Sequence, residues 1–227
     1  MPTIADNVRT VLDRIATAAA GAGRNPEDVA LVAAAKTRSA AQVRAVVEAG
    51  VKFVGENRVQ EAEAKMAELA DVDCAWHMIG HLQRNKAAKA VRFFDMVQSL
   101  DSPRLADELQ KRAAAADKVM TVLLEVNTSG EETKYGVVPE AAADFSAYVA
   151  TCANLRVEGL MTIGPLGAGP ATTVAAFQTL RDLFEKIAPS LGGDFRWLSM
   201  GMTDDFELAV EEGSNMIRVG RALFGPR

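Results

Sequence analysis

Eight short apolar runs, each leading into a stretch with helical spacing, constrain this chain more than any other feature. The runs are Val29–Ala35, Val51–Gly55, Ala75–Gly80, Met96–Leu100, Val119–Asn127, Leu155–Met161, Phe195–Met200 and Asn215–Gly220. Helical patterns separate them at Ala40–Ala49, Arg58–Leu69, Leu82–Val91, Pro103–Ala116, Pro139–Thr151, Ala171–Ala188 and Asp204–Glu211. One more precedes them, from Thr3 to about Ala20. Thr3 is placed to cap it, Ile4, Val8, Val11, Leu12 and Ile15 share one face, and Gly21 and Gly23 end it. The runs are apolar throughout rather than alternating, the pattern of strands covered on both faces. Eight such units predict an α/β chain folded as a single TIM (β/α)8 barrel with an extra N-terminal helix, one domain over residues 1–227. A doubly wound open sheet is the competing architecture, and the count of eight favours the barrel.

Composition narrows the function. The 227 residues carry 25 Lys and Arg against 30 Asp and Glu, a net charge of −5, which argues against a nucleic-acid partner. The two cysteines, Cys74 and Cys152, lie far apart and form no Cys-x-x-Cys; they read as small buried apolar residues in a reducing compartment. The N-terminus is charged where a signal peptide is apolar, and the longest apolar run, Val29–Ala35, is far short of a membrane span. The expectation is a cytoplasmic protein with no membrane partner.

In such a barrel, chemistry gathers at the C-terminal ends of the strands. Lys36 stands there, directly after Leu-Val-Ala-Ala-Ala. Desolvation at a barrel mouth lowers a lysine pKa from ~10.4 and favours the neutral amine that Schiff-base chemistry requires. The alternative is a solvated lysine at a strand end. Ser199-Met-Gly-Met-Thr203 after the seventh run and Gly220-Arg221 after the eighth have the character of a phosphate cradle, with Gly201 opening the backbone to a ligand. Ordinary strand-to-helix turns would look similar, and Asp204 and Asp205 would repel an anion if they turned inward. An amine and a phosphate cradle on one face together suit a phosphorylated aldehyde, and pyridoxal 5′-phosphate (PLP) fits both halves. Arg218, inside the eighth run, either meets a ligand acceptor or points outward to a helix carboxylate. Asn57 either reaches the ligand or caps the second helix. His77 and His81 are four apart, but in a strand and its following turn rather than on a helix, and no His-Glu-x-x-His is present, so no metal site is expected. The basic run Arg84, Asn85, Lys86 and Lys89 reads as a solvated helix face. Met200 and Met202 are core residues or packing for an aromatic ligand.

These residues lie in stretches that resemble the pyridoxal phosphate homeostasis protein family over nearly the whole chain. The stretches are Leu-Val-Ala-Ala-Ala-Lys-Thr (31–37), Gly-Glu-Asn-Arg-Val-Gln-Glu (55–61), Trp-His-Met-Ile-Gly-His-Leu-Gln-Arg-Asn-Lys (76–86), Gly-Leu-Met-Thr-Ile (159–163), Leu-Ser-Met-Gly-Met-Thr-Asp-Asp (198–205) and Ile-Arg-Val-Gly-Arg-Ala-Leu-Phe-Gly (217–225). The resemblance implies a barrel like the alanine racemase N-terminal domain, with PLP as an internal aldimine on Lys36. It implies that Ser199, Gly201, Gly220 and Arg221 surround the phosphate, largely through backbone N–H groups, and that Arg218 faces the pyridine nitrogen. Thr203 and Arg221 stand where family members often carry a small hydroxyl residue, which leaves the Arg221 side chain without an implied role. Lys134, in the loop after the fifth run, is either a second lysine that relays the cofactor or a solvated residue.

The resemblance implies no robust catalysis, and electronics agree. PLP enzymes draw electrons into the ring, and an arginine at the pyridine nitrogen keeps that nitrogen unprotonated. Racemases of this barrel type use a second base, a tyrosine, supplied with an additional β domain; eight units take up the 227 residues, so no such domain is expected, Tyr148 falls on an outer helix, and Tyr135, in the loop after the fifth run, stays open as a base. The expectation is a PLP binder serving vitamin B6 homeostasis, monomeric, with PLP-dependent apoenzymes as recipients. The alternatives are an amino-acid racemase or other PLP enzyme, and a phosphate-binding isomerase without PLP.

Overall fold

The computed structural model describes residues 2–131 and 133–225. Eight parallel strands close into a barrel in chain order: β1 Ala30–Ala34, β2 Phe53–Glu56, β3 Ala75–Met78, β4 Met96–Leu100, β5 Met120–Glu125, β6 Leu155–Met161, β7 Trp197–Ser199 and β8 Met216–Val219. β8 pairs with β1, Val32 opposite Arg218 and Ala33 opposite Val219, so no edge remains. Around it run α1 Ile4–Gly21, α2 Ala40–Glu48, α3 Val59–Glu68, α4 Ala87–Phe93, α5 Pro103–Ala115, α6 Ala142–Ala150, α7 Pro170–Leu191, α8 Phe206–Glu211 and α9 Arg221–Phe224. The TIM barrel with an added N-terminal helix is the architecture the sequence predicts.

The added helix has a specific place. Thr3 and Asp6 form a capping box: Thr3 Oγ1 accepts from the Asp6 N–H at 3.1 Å, and Asp6 Oδ2 from the Thr3 N–H at 3.0 Å. Val8, Val11, Ile15, Ala18 and Ala19 form the buried face. That face packs against α2, α8 and α9. The helix after β8 is only four residues, so α1 fills the gap in the helical ring that a full eighth helix would otherwise cover. Asn7 Nδ2 donates to the Leu223 carbonyl at 2.9 Å, and Arg14 pairs with Glu207 while lying over the Phe206 ring.

Other elements depart from the sequence pattern at their edges. The predicted helix 82–91 divides into a 3₁₀ turn at Arg84–Lys86 and α4. The short α9 was expected as a turn. Both cysteines are half-buried rather than buried, because each lies at an outer margin of the strand–helix layer; burial and nearby Asp95 and Asp73 push the Cys74 thiol up to about 11.

Two apolar layers result. Leu31, Ala33 and Ala35 alternate toward the helices, and Ala30, Val32 and Ala34 toward the barrel axis. The axis cluster contains Val32, Ile79, Met96, Leu123, Met161 and Met216. Toward the N-terminal end, buried Glu158 accepts from Arg156 Nε at 2.8 Å, Trp197 Nε1 at 3.2 Å and Arg196 at 3.4 Å. Gly159 sits beside a register shift between β5 and β6, at φ 155°. A Cβ there would lie 1.9 Å from the Trp197 carbonyl oxygen, so β6 and β7 approach closer than any side chain allows. Gly159→Ala is expected to destabilise the fold by about 3 kcal/mol or more, read from the urea midpoint.

Candidate functional site

Period-two alternation sets what reaches the C-terminal mouth. The inward row Ala30, Val32, Ala34 has Lys36 as its next member. Likewise Phe53 and Gly55 lead to Asn57, Trp197 and Ser199 to Gly201, and Met216 and Arg218 to Gly220. Barrel closure makes the first and last rows neighbours. A Cβ on Gly220 would lie 3.3 Å from the Ala34 carbonyl oxygen, two residues from Lys36. Lys36, Gly201, Arg218 and Gly220 therefore share one end and one side of the barrel. Lys36 is exposed rather than desolvated, because the last tie from this stretch to β2, the Ala35 N–H donating to Gly55 O at 2.8 Å, ends one residue before it.

Below the mouth runs a chain of buried polar groups. Arg218 faces inward, not toward an outer helix. Its Nη1 donates to Ser199 Oγ at 2.6 Å and its Nη2 to the Thr162 carbonyl at 2.7 Å. Ser199 Oγ donates to Gln98 Oε1 at 2.7 Å, and Gln98 Nε2 donates to His77 Nδ1 at 2.8 Å. Burial lowers the His77 pKa to about 4, so the ring is neutral and Nδ1 accepts. Burial lowers Arg218 to about 10, opposed by the carboxylates of Glu125 and Asp205, and the guanidinium stays charged at neutral pH. Ser199 is thus committed to Gln98 and Arg218, and its side chain supports the site from beneath. Gln98 and Glu125 are not singled out by the sequence; the available signal was a polar residue inside an otherwise apolar strand.

Glu125 is 4% exposed, and its Oε2 has no partner among the described residues. Burial, and secondarily Asp101, raise its pKa to about 7 against the opposing pull of Arg218. A carboxyl whose folded pKa lies above its unfolded value binds the extra proton only when folded, so stability falls as pH rises from about 4 through about 7. Glu125→Gln is therefore expected to raise stability at pH 8 by up to about 3 kcal/mol and to have little effect at pH 4, measured by urea unfolding at both values.

The turns after β7 and β8 are tight. Gly201 has φ 96°, and a Cβ there would lie 2.6 Å from the Ala209 Cβ. The first two N–H groups of α9, at Arg221 and Ala222, have no partner among the described residues, and the Gly220 N–H reaches only Thr203 Oγ1 at 3.4 Å. The aspartates do not turn into this cradle as free charges. Asp205 Oδ1 accepts from the Met202 N–H at 2.6 Å, and Asp204 pairs with exposed Arg221. The Arg221 side chain is thereby directed to Asp204, leaving its backbone N–H for a ligand. Met200 is buried in the layer toward the helices and Met202 is half-buried.

A cleft of about 660 Å³ lies to one side, between the loops after β2, β3 and β5. Asn57, Arg58, His81, Lys86 and Tyr135 line it, and Asn57 alone is shared with the predicted site. His81 Nδ1 is 2.8 Å from Asp101 Oδ2, and its ring stacks on Tyr135 at 3.6 Å. Lys86 from the basic run thus faces a cleft, while Arg84 and Asn85 are exposed and Lys89 pairs with Glu63. Lys134 is bonded rather than solvated, to Glu131 and to the Gly164 carbonyl at 2.9 Å. Tyr148 is exposed on α6 and bonded to Asp107. No group of three or more His, Cys, Asp or Glu among the described residues is placed to hold a metal, and no helix among them is long and apolar enough to cross a membrane.

Comparison with known proteins bears on this geometry. Residues 4–227 match the family described as alanine racemase, N-terminal domain. A pyridoxal phosphate homeostasis protein of Pseudomonas aeruginosa is 44% identical over 227 residues, covering 100% of this chain and 97% of the relative. This chain belongs to the pyridoxal phosphate homeostasis protein family. The family's member from Aquifex aeolicus is 41% identical, over 98% of this chain and 97% of its own. Among solved structures, PipY of Synechococcus elongatus with PLP bound superposes with a TM-score of 0.81 at 38% identity, covering 93% of this chain and 100% of that chain. The family stretches fall at the barrel mouth and at the close approaches beneath it: Lys36, Asn57, Gly159, Gly201 and Gly220 each lie in one.

Proposed function

We propose that this chain binds PLP at the C-terminal mouth of the barrel, holds it as a Schiff base on Lys36, and serves cytoplasmic vitamin B6 homeostasis without robust turnover, with PLP-dependent apoenzymes as recipients. The observation that carries the reading is the contact of Gly220 with Ala34, which sets the last two turns beside the strand end bearing Lys36. When bound, the cofactor supplies an aldehyde for an amine, a phosphate for N–H donors and a ring nitrogen for a polar partner. The residues present suit each part. Lys36 is an accessible amine. The N–H groups of Arg221 and Ala222, beside a turn that needs glycine at 201, suit a dianion. Arg218, held by Ser199 and Thr162, is a fixed cation suited to a ring nitrogen that stays unprotonated. A cation there withholds the proton that makes the ring an electron sink, which favours storage and delivery over turnover. The PLP bound to PipY and the names of the relatives support the same reading.

Incubation with PLP is expected to give a yellow protein whose visible absorbance is lost in Lys36→Ala. Pyridoxal without the phosphate should bind at least about tenfold more weakly, the loss of one charged hydrogen bond. A colourless wild type, or equal affinity for the two aldehydes, contradicts the assignment. Exchange of the alanine Cα proton for deuterium, followed by NMR on the loaded protein, should not exceed that of free PLP; faster exchange would favour a racemase.

A further inference from the structure

Lys36 makes no hydrogen bond or ion pair among the described residues, yet both peptide groups flanking it are tied down, and both ties come from α3. Lys65 Nζ donates to the Ala35 carbonyl at 2.8 Å. Glu61 Oε2 accepts from the Thr37 N–H at 3.3 Å. Glu61 and Lys65 are four residues apart, so they occupy one face of α3 and grip the chain on either side of Lys36.

Neither tie is what packing alone would select. Lys65 is 8% exposed and ion-paired with Glu56, which is fully buried and whose Oε2 has no hydrogen-bond partner among the described residues. Burial raises the Glu56 pKa, and Lys65 opposes the shift. An apolar pair of the same volume usually holds a helix on a strand as well or better. What the lysine adds is a donor for the carbonyl that precedes Lys36. On the other side Thr37 has φ 64°, a left-handed conformation unusual for a β-branched residue. It turns the chain sharply after Lys36, and the Glu61 carboxylate is the acceptor that holds its N–H there. Glu56 and Glu61 both lie in the stretch Gly55–Glu61, of which the cofactor site uses only Asn57.

We propose that α3 is a clamp: Glu61 and Lys65 fix the direction in which Lys36 leaves the barrel, and act as positioning residues for its amine. The inference rests on the proposed function only in naming PLP as what that amine meets. Glu61 is the member to test, because its side chain is 31% exposed and its loss leaves no buried charge.

Three proteins suffice: wild type, Glu61→Ala and Glu61→Gln, which keeps an acceptor oxygen. Without cofactor, hydrogen exchange of the Thr37 amide should be slow in wild type and in Glu61→Gln and fast in Glu61→Ala, with thermal midpoints alike. With PLP, formation of the borohydride-reducible adduct on Lys36 should slow about tenfold or more in Glu61→Ala and recover in Glu61→Gln. Unchanged adduct formation in Glu61→Ala, or a loss that Glu61→Gln does not restore, overturns the clamp. Should the wild type form no adduct, the assignment of PLP to Lys36 fails; the clamp is then judged on exchange alone, and equal Thr37 protection in wild type and Glu61→Ala overturns it.

Discussion

Closure of β8 against β1 is the constraint on which the site depends. Lys36 and Arg218 are 182 positions apart in the sequence, and only the pairing of the first strand with the last makes them neighbours. In an open sheet the same residues would lie on separate strands with no shared mouth. The closure is buttressed from outside. α1 packs over the short α9, and Arg38 Nη2 donates to the Gly225 carbonyl at 2.6 Å, joining the loop after β1 to the chain beyond β8. The N-terminal helix thus contributes to the site without reaching it.

The interior above the apolar cluster is polar, and its order is what makes a buried cation tolerable. Arg218 loses water on entering the barrel, a cost that would be severe without partners. Ser199 and the Thr162 carbonyl replace that water, while Gln98 and neutral His77 continue the chain across the axis. Fully bonded polar groups of this kind fix one geometry more firmly than apolar side chains, which repack easily. Glu125 is the exception, with one oxygen left over, and the same proximity to Arg218 that stabilises its anion is outweighed by its burial. The guanidinium therefore sits beneath the mouth as a rigid, charged group rather than a mobile one.

Much of this was legible in the sequence, for a physical reason. Parallel strands buried on both faces write themselves as apolar runs, and the run Val29–Ala35 ends one residue past β1, so Lys36 is marked as standing just above the barrel. Glycines that permit close approach were visible as family residues, though only the structure shows that Gly159 admits the Trp197 carbonyl and that Gly220 meets Ala34. Side-chain pairings between distant elements were not legible. Nothing local joins Arg221 to Asp204, Gln98 to His77, or Lys65 to the Ala35 carbonyl, because each link is made by tertiary packing. The exposure of Lys36 was left open beside its desolvation, since strand-end position alone does not say whether neighbouring loops cover a side chain.

On the function proposed above, a single amine, that of Lys36, receives the cofactor's aldehyde. Borohydride reduction of the PLP-treated protein, followed by proteolysis and mass spectrometry, tests it most directly. The phosphopyridoxyl mass is expected on the peptide bearing Lys36 at close to one per chain. The same mass found mainly on a peptide bearing Lys65, Lys86 or Lys134, or on none, would contradict it.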